Sequence, residues 1–473
     1  MKFVDRRAEM ERLERLVALP EGGLAVLYGR RRIGKTRLLV EWSRRHDGLY
    51  TVADQSAAGI QRRYFSEAVA GRLPGFAEVE YPDWRTLLLR LAREAQLAGW
   101  RGPIIFDELP YLVAASPDLP SVLQRWVDHE ALEAHLVVAV AGSSQRMMQG
   151  LVLGPEAPLF GRAREMLDLG PIEAAFLREV FAPASSIELI ELYAAWGGIP
   201  RYWELASSLT EKVRLQIDHL VLDPLGPLHR EPDRLLLEEM PSALEVRPIL
   251  DAIGAGMHRV SEIAGRLGRL ATSMSRPLDR LLGMGLVRRD VPFGELEKAS
   301  RRSLYKIGDP FFRLWFRVVA PHRGLLATGS REARLRLLAR FWDDLVAQAW
   351  EDLCRRQIPR LAGSTLPGGR GPWGPAARWW EGRAAPEWDV VSESLTGGEL
   401  LLGEVKWSAK PFGSRALERA LRELAAKPIP RLPGRYAAHS AVRVLFVPEV
   451  EPRAARAGRE GEGPLVMTAN ELL

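Results

Sequence analysis

Apolar residues in the first 170 positions fall into short unbroken runs, separated by stretches with helical spacing. Leu24-Ala-Val-Leu-Tyr28, Leu49-Tyr-Thr-Val-Ala53, Pro103-Ile-Ile-Phe-Asp107 and Leu136-Val-Val-Ala-Val-Ala141 are each of strand length. Unbroken runs, rather than alternation, mark strands covered on both faces, as in a parallel sheet. Arg37-Leu-Leu-Val-Glu-Trp-Ser43 between two of them has helical spacing. Strand and helix in alternation predict an α/β domain over residues 1–170. Residues 171–235 read as a helical lid, and Pro224, Pro227 and Pro232 break the chain after it. Three helical stretches follow, Arg247–Ile253, Arg259–Leu267 and Ser275–Leu282, then two short strands, Gly285–Arg289 and Ser303–Ile307. Pro277 is tolerated in the first turn of the third helix, with Ser275 as its cap. After a Gly/Pro-rich stretch over 363–375 the pattern turns to strands again. Glu387–Ser392 and Glu399–Trp407 flank a Gly397-Gly398 turn.

The junction between the first strand and its helix carries chemistry. Gly29-Arg30-Arg31-Arg32-Ile33-Gly34-Lys35-Thr36 fits G-x-x-x-x-G-K-[ST] between a strand and a helix. Glycines let main-chain amides turn inward around phosphate oxygens, and the helix N-terminus adds positive charge. Lys35 would reach the β- and γ-phosphates, and the Thr36 hydroxyl would ligate Mg²⁺. The third strand ends in Asp107-Glu108, about 70 residues on. Asp107 is placed to hold the metal and Glu108 to polarise the attacking water. The alternative is a strand ending in a solvated turn, since Pro110 follows. The fourth strand ends in Gly142-Ser143-Ser144-Gln145, where Ser143 would contact the γ-phosphate or cap the next helix. The expected cofactors are ATP and Mg²⁺.

Helix, helix, helix and paired strands is the order of a winged helix, here over 236–320. Arg276, Arg280, Arg288, Arg289, Lys298, Arg301, Arg302 and Lys306 gather charge on its third helix and wing, as DNA contact requires. The alternative is a protein-docking module with a solvated basic face. In the tail, period two puts Leu402, Glu404 and Lys406 on one strand face, and Asp389 lies on the neighbouring strand. Two carboxylates and an ammonium so placed can hold Mg²⁺ and stabilise a scissile phosphate. A cross-strand Glu404–Lys406 ion pair is the other reading.

Composition narrows the class. The chain has 473 residues, 47% hydrophobic and 27% charged, which is globular. Cys354 is the one cysteine, so no internal disulfide forms. It reads as a small residue on a buried helix face. No leader-like N-terminus and no apolar run of membrane-spanning length is present, so a cytoplasmic location is expected. A net charge of +6 permits a nucleic-acid partner without requiring one.

Several of these segments resemble the archaeal-type ATPases, P-loop proteins close to the AAA+ and signal-transducing STAND ATPases. The run Tyr28–Thr36 is similar to their phosphate loop. Phe3-Val-Asp-Arg6-Arg-Ala-Glu9 is similar to their N-terminal element, which packs near the base. Pro158-Leu-Phe-Gly161-Arg162 and Gly197-Gly198-Ile199-Pro200-Arg201-Tyr202 resemble two further motifs, and Asp309-Pro310-Phe a fourth. The resemblance implies that Gly198 and Pro200 lie by the adenine. It implies that Arg162 stands where relatives carry an arginine finger, against the alternative of a structural ion pair. A finger acting in trans would require a homo-oligomer. The D-x14-E-x-K spacing of Asp389, Glu404 and Lys406 resembles the PD-(D/E)xK nuclease core, and Glu351 matches that fold's helical carboxylate. There Asp389, Glu404 and Glu351 would be metal ligands and Lys406 catalytic. Pro386 lies three residues before Asp389, so the "PD" pair itself is absent. The expected fold is thus α/β: a P-loop parallel-sheet ATPase domain (1–170), a helical lid (171–235), a winged helix (236–320) and a restriction-endonuclease-like α/β domain (321–473). The expected activity is ATP hydrolysis in a switch acting on DNA, with metal-dependent cleavage as a further question. A nucleotide-bound, non-cleaving signalling scaffold is the alternative.

Overall fold

A computed structural model of the chain describes residues 2–143, 148–239, 243–296, 300, 302–361, 366, 370–381, 387–454 and 463–473. Ser144, Gln145, Lys298, Arg301 and Pro386 lie outside them. The chain divides into two compact units, one of residues 2–172 with 199–201, the other of 173–198 with 202–473.

The first unit is built on five parallel strands: β1 (Gly23–Tyr28), β2 (Leu49–Val52), β3 (Ile104–Asp107), β4 (Val137–Gly142) and β5 (Ala163–Asp168). Their order is β2-β3-β4-β1-β5. The three inner strands are the three most apolar ones, and β3 and β4 are buried throughout. The outer strand β5 alternates toward solvent instead. Apolar side chains on one face of the sheet pack with Trp84, Trp126 and a stacked Phe65–Phe106 pair, ring centroids 4.9 Å apart. From β1 the chain departs toward β2, and from its neighbour β4 it departs the other way, toward β5. The crevice between their carboxyl ends is where an open α/β sheet accepts a ligand. Tyr28 and Gly142 share a register position, so both loops leave at one level.

In the second unit a helix over Ser186–Trp196 starts at a capping box of Ser185 and Glu188. Three helices, Ala243–Gly254, Val260–Arg266 and Ser275–Gly283, lead into an antiparallel hairpin, β6 (Val287–Asp290) and β7 (Leu304–Ile307). Ser275 does not cap the third helix as expected; it is the first helical residue, because a tight turn over Ala271–Met274 runs straight into it. A 27-residue helix, Arg331–Gln357, then leads toward a five-stranded sheet. Its strands are β8 (Ala377–Trp379), β9 (Trp388–Glu393), β10 (Glu399–Val405), β11 (Ser440–Val447) and β12 (Leu465–Thr468), in order β12-β11-β10-β9-β8. The β9–β10 hairpin turns through Gly397 and Gly398, both at φ 82°. The helix Ser414–Ala426 covers one face through Leu417, Ala420 and Leu424. Among the described residues, no helix is long and apolar enough to cross a membrane.

Candidate nucleotide site and the charged clusters

From the end of β1 the chain turns through Gly29–Gly34 into the helix Lys35–Arg45. The turn requires left-handed backbone at Gly29 (φ 140°), Arg32 (φ 69°) and Gly34 (φ 96°). At Gly29 a side chain is also excluded by space: a Cβ would stand 2.6 Å from the Leu169 carbonyl oxygen. Arg32 takes the same backbone region at a cost on the order of 1 kcal/mol. Lys35 is buried, and its Nζ donates to the carbonyls of Gly29 (2.7 Å) and Arg30 (3.3 Å). Arg31 donates to the Tyr111 hydroxyl at 2.9 Å. Behind the loop, the buried Arg6 guanidinium donates to the carbonyls of Ile33 (2.9 Å) and Gly170 (2.7 Å) and to Glu9 (2.8 Å). One arginine thus braces the loop against the segment leaving β5. Pro200 closes the other side: a Cβ on Gly34 would touch its Cγ at 3.4 Å. Gly198 belongs to the second unit.

Two acids face this loop from the end of β3. Asp107 is buried, and its Oδ2 accepts from Thr36 Oγ1 (2.8 Å) and from the Tyr50 hydroxyl (2.7 Å). Its Oδ1 accepts from the Glu108 amide at 2.9 Å. Tyr50 reads in sequence as an ordinary strand residue and was not expected here. Burial, and then the Asp107 charge, push its pKa upward, so it stays a protonated donor. Glu108 sits at φ 53°, which swings its side chain off the strand direction. Its carboxylate is gripped by Ser143, hydroxyl to Oε1 and amide to Oε2 at 3.4 Å. The structure therefore brings Lys35, Thr36, Asp107, Glu108 and Ser143 together. Thr36 and Asp107 offer hard oxygens, the donor type Mg²⁺ takes.

Arg162 is engaged elsewhere. Its Nε meets both oxygens of Asp128 (2.8 and 3.0 Å), and a second nitrogen donates to the carbonyls of Pro158 (3.0 Å) and Phe160 (3.2 Å). This is the structural ion pair that stood as the alternative to a finger.

Much of the basic charge expected to face DNA points into the second unit instead. Arg288 pairs with the buried Asp352 and, at 3.1 Å, with Asp290. Lys306 approaches Asp290 at 3.6 Å. Arg289 donates to the Ser303 hydroxyl (2.8 Å), and Arg302 donates to the Trp380 carbonyl (2.7 Å) and pairs with Glu295. The hairpin lies against later parts of the same unit, so Arg288, Arg289 and Arg302 bond internally. Burial alone would raise the Asp352 pKa, but Arg288, Arg313 and Arg355 hold it well below the carboxylate range. Arg276 and Arg280 are exposed on the third helix, and Arg266 and Arg269 are exposed just before it.

In the tail, the Asp389 Oδ2 accepts from the Val405 amide (2.9 Å), tying β9 to the end of β10. Burial, then the charges of Glu351 and Glu404, raise the Asp389 pKa to about 6. Glu404 is bound by two ammonium groups, Lys406 at 2.9 Å and Lys427. Burial works against the Lys406 charge, yet Glu404 and Asp389 keep its pKa above the ordinary value. Lys427 follows the helix Ser414–Ala426 and lies 4.6 Å from the centre of the Trp388 ring. Nothing in the D-x14-E-x-K spacing points to it. Arg355 donates to the Asp389 carbonyl (2.8 Å) and pairs with Glu351 at 3.5 Å. Among the described residues, no three Asp, Glu, His or Cys side chains are arranged to hold a metal. Of the expected trio, Glu351 is paired with Arg355 and both Glu404 oxygens are occupied by lysines, while Asp389 accepts from the Val405 amide and is crowded by the other two acids. Cys354 is buried in the long helix, as expected, and burial raises its thiol pKa.

Residues 3–205 match the model of an ATPase domain predominantly from Archaea, and residues 315–420 match a model of archaeal and bacterial proteins of unknown function. An uncharacterized protein of Methanocaldococcus jannaschii is 30% identical over 331 residues, covering 69% of this chain and 71% of that protein. Among solved structures, a Walker-type ATPase of Pyrococcus abyssi is 19% identical with a TM-score of 0.52, over 67% of this chain and 96% of that one. The ORC1 protein of Aeropyrum pernix, solved in complex with DNA, is 18% identical with a TM-score of 0.35, over 73% of this chain and 94% of that one. That score is too low to add to the fold. The phosphate loop, the acids beyond it, the domain match and the relative agree: the chain belongs to the family of ATPases found predominantly in Archaea.

Proposed function

We propose that this chain binds and hydrolyses ATP and uses the resulting change of state to act on DNA. One observation carries the reading. Lys35, Thr36, Asp107 and Glu108 converge at the carboxyl ends of β1 and β3, around a loop with three left-handed residues. In that reading the loop amides and Lys35 take the phosphates. Thr36 and Asp107 would hold Mg²⁺, which neutralises charge on the β- and γ-phosphates when bound. Glu108 accepts the proton of the attacking water. Ser143 holds the Glu108 carboxylate until the γ-phosphate competes for the Ser143 hydroxyl. Pro200, packed on Gly34, would lie near the adenine side. Steady-state phosphate release from ATP tests the reading. Lys35→Ala should reduce it to background, because the phosphate tail loses its one buried ammonium; turnover equal to wild type in a clean preparation would remove the assignment.

The second unit supports DNA contact by a winged helix in a modified form. Its three helices and hairpin are in the expected order, but among the described residues Arg266, Arg269, Arg276 and Arg280 are exposed, while Arg288, Arg289, Arg302 and Lys306 of the hairpin are partly buried. Metal-dependent cleavage by a nuclease-like tail is a second reading. Crowding of Asp389 by Glu351 and Glu404 favours it, since a cation relieves such crowding. Against it stands the double lysine engagement of Glu404, which a metal would have to displace.

A further inference from the structure

The cavity between the β6–β7 hairpin and the long helix is lined by an excess of cations. It encloses about 190 Å³ among His258, Lys306, Arg313, Arg317, Phe341 and Asp344. One water takes about 30 Å³ of liquid volume, so there is room for a tetrahedral oxyanion and a small substituent. Among the lining residues, Lys306, Arg313 and Arg317 stand against one carboxylate, that of the exposed Asp344; Lys306 and Arg313 also have acids outside the lining, Asp290 and Asp352.

The lysine is the informative member. Its side chain is 15% exposed, and its closest acid is Asp290 at 3.6 Å, beyond hydrogen-bond reach. Buried cations in folded proteins are paired or change protonation. Asp290 is also shared with Arg288. Burial, and then the nearby Arg378, lower the Lys306 pKa to about 8, the direction expected of an ammonium short of negative charge. Arg317 gives one weak hydrogen bond, to the Gly254 carbonyl at 3.4 Å, and lies over the Phe341 ring at 5.3 Å, which fixes its plane. His258 Nδ1 lies 3.1 Å from the Tyr305 carbonyl, which makes Nδ1 the donor and leaves Nε2 an acceptor. Burial first, and then Lys306, lower the His258 pKa and keep the ring neutral.

We propose that this cavity is a binding site for a phosphate-class oxyanion, separate from the nucleotide loop. Lys306 and Arg317 supply charge-assisted donors to its oxygens, and Arg313 adds positive field from the wall while it holds Asp352. A monohydrogen phosphate or a monoester monoanion also carries a hydroxyl, and the neutral His258 Nε2 is an acceptor for it. The ligand would join the hairpin, which supplies Lys306, to the helices carrying Arg317 and Phe341. The same chemistry is offered by free inorganic phosphate and by the phosphate of a small monoester.

The test is calorimetric titration of the Lys35→Ala chain, whose nucleotide loop has lost its ammonium, so that any signal remaining there is unaffected by substitutions at the cavity. Inorganic phosphate and phenyl phosphate are the probes, with potassium chloride at matched ionic strength as control. Saturable binding of either probe is expected, weakened about tenfold or more by Lys306→Met and by Arg317→Gln. Phosphate alone would identify a free ion as ligand, and phenyl phosphate alone an ester; both results support the site. Arg317 is the half-buried member, so its variant decides the question if Lys306→Met unfolds, as checked by its unfolding midpoint. No saturation with either probe, an equal signal from chloride, or unchanged affinity in both folded variants would overturn the proposal.

Discussion

At the scale of single residues, four hydrogen bonds tie the Arg162 guanidinium to Asp128 and to its own turn, and we propose that it holds structure rather than nucleotide. Arg162→Gln should therefore keep ATP turnover within about threefold of wild type. A transition-state arginine is worth roughly 10³ or more, so a loss of that size would restore the finger. Asp389 gives a prediction with a definite sign. Its folded pKa, about 6, lies above that of an unfolded aspartate, so the folded state binds the extra proton between the two values. That contribution is present in acid and lost as pH rises through 6. Asp389→Asn should stabilise the chain at pH 7, by roughly 2–3 kcal/mol, and the gain should vanish near pH 4. Urea unfolding at both pH values checks this; a destabilised variant at pH 7 would contradict it. Residues in a fixed local pattern, Lys35, Thr36, Asp107 and Glu108, were legible in the sequence. Tyr50 and Lys427 were not, because they act on groups 57 and 23 positions away. No local spacing encodes such a contact.

At the scale of elements, strands were easier to read than the direction of charge. Buried runs such as Val137–Gly142 identify themselves by composition alone, and the Gly397-Gly398 turn fixes the β9–β10 hairpin. The helices of the second unit were also legible, with one shift at Ser275. The hairpin's arginines misled because sequence gives their number and not their partners. Asp352 lies 64 positions from Arg288, on the long helix Arg331–Gln357. The proposed DNA contact therefore falls on the third helix and the turn before it. Replacing Arg266, Arg269, Arg276 and Arg280 with glutamine should flatten the dependence of log affinity on log salt. Each lost phosphate contact lowers that slope by about 0.9. Replacing Arg289 and Arg302 should leave the slope unchanged. Fluorescence anisotropy with a labelled duplex across a salt series distinguishes the two sets, and the reverse pattern would return DNA contact to the hairpin.

At the scale of the whole molecule, a nucleotide domain is joined to a second unit rich in buried charge. Residues 173–198 and 202–473 form one compact body, so helices, hairpin and tail sheet are expected to move together rather than as separate modules. The Arg288–Asp352–Arg355 chain, ending on the Asp389 carbonyl, is a physical reason for that. The proposed hydrolysis rests on the first sheet, where Glu108 is held by Ser143 beside Asp107. The most direct measurement is magnesium-dependent ATP turnover by Glu108→Gln, with ATP affinity determined in parallel. The account predicts affinity within a few-fold of wild type and turnover reduced by roughly 10²–10⁴, the share of a positioned general base. Wild-type turnover in Glu108→Gln, at equal affinity, would contradict it.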